Sequence, residues 1–454
     1  MNRIKNFWPT LKSVENLIFS DKSLKIAIGA IFIARLCYVL FVIDPHSGQD
    51  APSFNEDARK ILDDGPITEL KYAPWWPVGY SWFVAFWWNI FGVDSRMLGV
   101  AQTSLLLAAQ IFAIKLVRYL VDKRSSQIFG YLILFNFALF SSSGQIMYEV
   151  PFASFLILGA YNLKELMMHS SWDYKKAALS GSSFGLAVLI HPSALAPAAA
   201  LLLVAFWRIK LNRRLILQAL LALTILLSGV FVQVARNSLA GDGTGFTVTA
   251  FSNAQLGMWG TNNPIESEKC SQIGRLTTNL NKGGMRWDSP VRQLCLYKVT
   301  IAEPSLLGEI FVFNSKRYWS PFVGILKGGG TWYHGLDWRR LVSPYGYKWW
   351  EGNTRLIDQT IGYGWMFGHL GLFLIGVINI GRRMQGPIIS TRKTTMFLVI
   401  PIFATYITSL LTLGDTRHRM PSMIFYEIFV AIGFMVFSST VLRFKSKREN
   451  TLRT

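Results

Sequence analysis

A few carboxylates and guanidinium groups in this 454-residue chain stand at the ends of apolar runs, where they can work on a polar molecule. Asp50 opens the stretch "DAPSFNEDARKILDDG", and Glu149 ends the short turn "GQIMYEV". His191 precedes Pro192 in "LIHPS", Arg236 and Asn237 close a later apolar run, and Arg417, His418 and Arg419 fill "GDTRHRMP". A hydroxyl is a poor nucleophile at neutral pH, and a carboxylate within hydrogen-bond reach can take its proton as it attacks. Arginines grip a phosphate through paired N–H donors while negative charge grows on it. Together these groups suit transfer from a lipid phosphate to a hydroxyl acceptor at a membrane face. A divalent ion held by Asp50 and Glu149 stays open, because two carboxylates alone do not specify a metal.

Plainer readings stand beside these. Glu56, Asp57, Asp63 and Asp64 read as a solvated helix face. His191 and His418 suit helix-end hydrogen bonding, and Arg417 with Arg419 suits anchoring to lipid headgroups.

The elements that must position these groups are apolar helices. The chain is 51% hydrophobic and only 16% charged, against about 25% charged in an ordinary soluble domain. Runs near the ~20-residue length of a bilayer span point to an all-α, polytopic helical membrane protein. Ten spans are expected, at about 26–43, 97–120, 126–142, 150–164, 177–190, 193–207, 215–236, 360–380, 395–413 and 421–441. With these crossings the basic clusters all fall on one side: the N-terminal lysines, Arg118 to Arg124, Lys175 and Lys176, Arg208 to Arg214, Arg382 to Lys393, and the tail after 441. The positive-inside rule makes that side cytoplasmic, with both termini there. The net charge of +20 is therefore a membrane signature, and nucleic acid is not an expected partner. The Trp-rich segment Val78–Phe91 would place later clusters outside if it crossed, so it reads as an interfacial or re-entrant helix on the outer leaflet.

The division that follows is a cytoplasmic N-terminus (1–25), an N-terminal membrane module (26–236) with its first outer loop at 44–96, an extracytoplasmic cap (237–359), C-terminal spans (360–441) and a basic tail (442–454). Cys270 and Cys295 share the cap, as a pair or as two thiols.

In order and content these pieces resemble membrane glycosyltransferases of the GT-C superfamily, in the bacterial branch of protein O-mannosyltransferases and aminoarabinose transferases. "QDAPSFNEDARKILDDG" is similar to that branch's first outer loop, and "PWWPVGYSWFVAFWWNIFG" to its proline-rich run. "YEVPFASFLILGAY" resembles its second acidic turn. "GLAVLIHPSAL" is similar to its Arg-Pro turn with His191 in the arginine's place. "VARNSLAGDGTGF…MWGTNNP" resembles its "RN…G" and "GNNP" elements, and "GDTRHRMPSMIFY" its last outer turn. The resemblance implies a polyprenyl-phosphate-linked sugar donor, inversion at the anomeric carbon and a site on the extracytoplasmic face. Asp50 would be the catalytic base and Glu149 the second acid. Arg417, Arg236, Arg419 and Lys71 would hold the donor phosphate. His191, Asn237, Asn262, Asn263, Tyr80 and His418 would line the substrates. Membrane lipids are the remaining partner, and no cofactor beyond the open divalent ion is implied. A membrane transporter or flippase is the rival reading. It expects ionisable residues at mid-span and broken helices, and Arg35 and Glu427 are the span-interior charges that would serve it.

Overall fold

The computed structural model describes residues 20–43, 51–71, 77–136, 142–168, 172–207, 212–241, 354–382, 388–411 and 420–451, with isolated positions between. Regular structure among the described residues is helical throughout. The helices are α1 (Asp21–Phe41), α2 (Ala51–Asp64), α3 (Val78–Phe91), α4 (Ser95–Leu120), α5 (Lys123–Leu134), α6 (Glu149–Met168), α7 (Tyr174–Ile190), α8 (Leu195–Phe206), α9 (Arg213–Leu239), α10 (Thr354–Asn379), α11 (Ile388–Leu411) and α12 (Met420–Thr451). Among the described residues five stretches are long and apolar enough to cross a membrane: Asp21–Phe41, Ser95–Leu120, Arg213–Leu239, Thr391–Leu410 and Pro421–Val441. The chain is a multi-pass helical membrane protein.

Short polar residues set the helix starts. Their side-chain oxygens accept from the N–H groups that a first turn leaves without partners. Ser20 and Ser23 close a reciprocal capping box on α1. Asp94, Asp122, Asp173 and Asn212 cap α4, α5, α7 and α9 in the same way. The helices then pack in a chain of neighbours: α9 on α7, α7 on α6, α6 on α4, α4 on α5 and α1, and α5 on α12, which also meets α10 and α11. Where α10 crosses α12, Gly376 lies against the Phe429 carbonyl and Gly433 against the Leu372 carbonyl, so a methyl group at either would collide with backbone.

Two departures from the sequence reading matter for function. The expected span 126–142 is not one helix, because α5 stops at Leu134. Residues 142–148 form a turn that is buried throughout. Non-helical backbone at membrane depth persists only where the protein satisfies it, and here it does. Gln110 donates to the Ile133 carbonyl at 2.8 Å, and Arg35 donates to the Leu134 carbonyl at 2.7 Å. The second departure is Asp57, expected on a solvated face but 2% exposed, in line with Phe54, Ala58 and Ile61. Helical spacing puts it in the apolar stripe, whereas Glu56, Asp63 and Asp64 are exposed. As for α3, its 14 residues rise about 21 Å, short of the ~30 Å hydrocarbon core. One face packs on α2, α4 and α7, and Phe86, Ile90 and Phe91 stay exposed.

Candidate active site

One end of the bundle gathers the C-termini of α7 and α9 with the N-terminal parts of α2, α3, α4 and α6. Each contributes a polar group. Ala51, fully buried, begins α2 immediately after Asp50 in the chain. One turn on, Phe54 meets Tyr80 edge-to-face at 4.7 Å between ring centroids and Tyr148 at 6.1 Å.

Pro77 gives α3 no side-chain cap, so α9 supplies one: the Val78 N–H donates to Gln233 Oε1 at 3.1 Å. The same turn carries Gly79 against the Leu189 carbonyl of α7, with no room for a Cβ. That contact seats Tyr80, which donates its hydroxyl proton to Gln102 Oε1 at 2.8 Å. The Gln102 amide then donates to the carbonyls of Ser143 (3.2 Å) and Gln145 (2.7 Å). Burial, and next the Glu149 carboxylate charge, push the Tyr80 phenol well above its ordinary pKa of 10.0, so it stays a donor at any working pH.

The turn held by Gln102 delivers Tyr148 and Glu149. Glu149 is the first residue of α6 and only 1% exposed; unpaired N–H groups and the dipole at a helix N-terminus favour a carboxylate there. Tyr148 stacks on the imidazole of His191, 4.4 Å between centroids and 15° from parallel, and Phe152 stacks on it at 5.9 Å. His191 Nδ1 lies 2.6 Å from Ser193 Oγ and accepts the Ser193 N–H at 3.3 Å. A backbone N–H can only donate, so Nδ1 is the acceptor nitrogen and the neutral ring carries its proton on Nε2.

Arg236, 3% exposed, donates to Asn237 Oδ1 at 3.1 Å and to the Thr68 carbonyl. Asn237 Oδ1 also accepts from Gln233 at 3.2 Å. Arg236 thus ties the loop after α2 to the end of α9, and a bound phosphate would have to share its donors. Lys71 sits at an exposed position and donates to Glu56 at 3.0 Å.

Of the expected site residues, the structure brings together Tyr80, Glu149, His191, Arg236 and Asn237. Asp50, Asn262, Asn263, Arg417, His418 and Arg419 lie outside the described residues, as do Cys270 and Cys295. Sequence reasoning missed Gln102, Gln233, Tyr148 and buried Asp57. The two glutamines carried a legible signal, being amides inside apolar helices. Among the described residues no three His, Cys, Asp or Glu side chains group to hold a metal. The Glu149 carboxylate is of the oxygen type that hard divalent ions take.

The chain matches no protein-family model and no curated protein. It is similar in structure to the oligosaccharyltransferase of Archaeoglobus fulgidus tethered with an acceptor peptide, at 13% identity and a TM-score of 0.50, over 94% of this chain and 51% of that one. It is also similar to ArnT from Cupriavidus metallidurans bound to undecaprenyl phosphate, at 12% identity and a TM-score of 0.39, over 91% of this chain and 78% of the other. The chain spans about half the length of the oligosaccharyltransferase. The first likeness shows the fold alone: the helical membrane architecture of that oligosaccharyltransferase.

Proposed function

We propose that this chain is a membrane glycosyltransferase that moves a sugar from a polyprenyl-phosphate-linked donor to a hydroxyl acceptor at the extracytoplasmic face, with inversion. The observation that carries the proposal is the gathering of Tyr80, Glu149, His191, Arg236 and Asn237 at one end of the bundle, beside the start of the helix that follows Asp50. A fold shared with an oligosaccharyltransferase agrees with it. In the reaction the acceptor oxygen attacks the anomeric carbon from the side opposite the phosphate. The bond from that carbon to the phosphate oxygen breaks, its electron pair leaves with the phosphate, and the acceptor proton passes to Asp50. Arg417, with Arg236 sharing its donors, offsets the charge on the departing phosphate. Glu149 orients the acceptor side of the site from the N-terminus of α6. His191, its Nδ1 tied to Ser193, offers a neutral Nε2–H to the substrates.

The break after α5, flanked by Arg35 and Glu427, favours the transporter reading as a second possibility. Against it, Arg35 and Gln110 occupy the last α5 carbonyls, which are thereby withheld from a solute. The deciding experiment incubates purified protein in liposomes with labelled polyprenyl-phosphate sugars and a cell-envelope extract. Label moving to an acceptor supports the transferase. Label crossing the bilayer without transfer would replace it with the transporter.

A further inference from the structure

Arg35 is fully buried within a helix long enough to span the membrane, a costly place for a charge and one that usually marks function. Its partners are unusual for a span. One guanidinium nitrogen donates to Gln110 Oε1 and the other to the Leu134 carbonyl, both at 2.7 Å. Gln110, held by that bond, turns its amide to the Ile133 carbonyl at 2.8 Å. Side chains from α1 and α4 therefore cap the last two carbonyls of α5, and a cation at a helix C-terminus also suits the dipole. Just past the break, the Asn136 side-chain amide donates to Glu427 of α12 at 3.5 Å, and its Oδ1 accepts the Leu139 N–H at 3.2 Å. The chain then turns through Gly144, which lies so close to Val39 and Ile43 of α1 that a Cβ would stand 2.8 Å from Ile43 Cγ2 and 3.0 Å from Val39 Cγ2. So α1, whose end leads into the loop bearing Asp50, grips the segment bearing Glu149 at two levels.

We infer that Arg35 and Gln110 are positioning residues: they fix where α5 ends, and through Asn136, residues 142–148 and α1 they hold the Glu149 turn in register with the end of α1. The inference rests on the transferase reading for its catalytic consequence. Its geometric half stands without it.

Both halves are tested in purified full-length protein with Arg35→Gln, Arg35→Lys or, as a variant that keeps the charge, Gln110→Met. The geometric readout places a cysteine at Ser142, fully buried, in a background with Cys37, Cys270 and Cys295 replaced by serine, and follows its labelling by a small methanethiosulfonate. Arg35→Gln and Gln110→Met are expected to label at least about tenfold faster than the parent, and Arg35→Lys in between. In the transfer assay kcat should fall about tenfold while the donor KM stays within about twofold, with Arg35→Lys recovering part of the loss. Unchanged labelling in monodisperse Arg35→Gln and Gln110→Met protein overturns the inference. So does faster labelling with full kcat, because the turn would then move without consequence. A parent with no transferase activity would sink the functional reading alone, and labelling would still decide the clamp.

Discussion

The two ends of the helical bundle handle charge in opposite ways. At the end built from the start of α1, the end of α4 and the starts of α5 and α7, charges pair in the open. Asp21 binds Arg118 and, at 3.1 Å, Lys123, and Lys176 binds Glu165 and, at 3.3 Å, Asp173. These side chains keep roughly a third to two thirds of their exposure, and such pairs contribute little, about 0–1 kcal/mol each. At the other end Glu149, His191, Arg236 and Asn237 are all under 7% exposed. Arg236 and Asn237 are bonded through the Thr68 carbonyl and amide side chains, and His191 through Ser193 and two ring faces. Buried groups of this kind are costly unless fully bonded. The first end buries a charge too, Lys393, which donates to the Leu166 carbonyl at 2.8 Å, but among the described residues the second end gathers its buried polar groups side by side, where their chemistry can be shared.

Substitutions can break or sharpen this contrast. The largest effect is expected from Asp50→Asn, which should lower kcat about a thousandfold while the protein stays monodisperse in detergent; retained turnover would remove Asp50 as the base. Next comes Gly79→Val, which drives a branched side chain into the Leu189 carbonyl and should cost about 3 kcal/mol, read as a lost or sharply lowered melting temperature. A melting point equal to the parent's would mean that the α3–α7 approach is looser than drawn. Tyr80→Phe leaves the Gln102 oxygen without its phenol and should cost about 1–3 kcal/mol, with the same readout.

The smallest effect belongs to the opposite end. The Lys176 N–H, and then its ammonium, hold the Asp173 carboxyl below its usual range. A carboxyl depressed in the folded state contributes stability above its unfolded pKa of about 3.9, and that contribution fades as pH falls through the folded value. Asp173→Asn keeps a competent cap. It should therefore differ from the parent by no more than about 0.5 kcal/mol at neutral pH and converge with it below about pH 4. A difference as large as that of Tyr80→Phe would erase the contrast between the ends.

Much of this was legible in the sequence because polar residues at the ends of apolar runs have few places to go. Glu149, His191 and Arg236 were singled out from their turns, and folding brings them together. The α5 break was hidden because "YLILFNFALF" is apolar on both sides of it, and hydropathy registers burial, not helicity. What ends the helix is supplied from afar, by Arg35 and Gln110, at sequence distances no local pattern records. Asp57 was misjudged for the opposite reason: its charge outweighed a spacing that already aligned it with Phe54 and Ile61.

The reciprocal seating of Gly376 and Gly433 has a mechanical consequence. Each backbone is notched to receive the other's carbonyl, which forbids sliding or rolling of α10 over α12. If either helix swings, it must carry the other with it as one stiff lever.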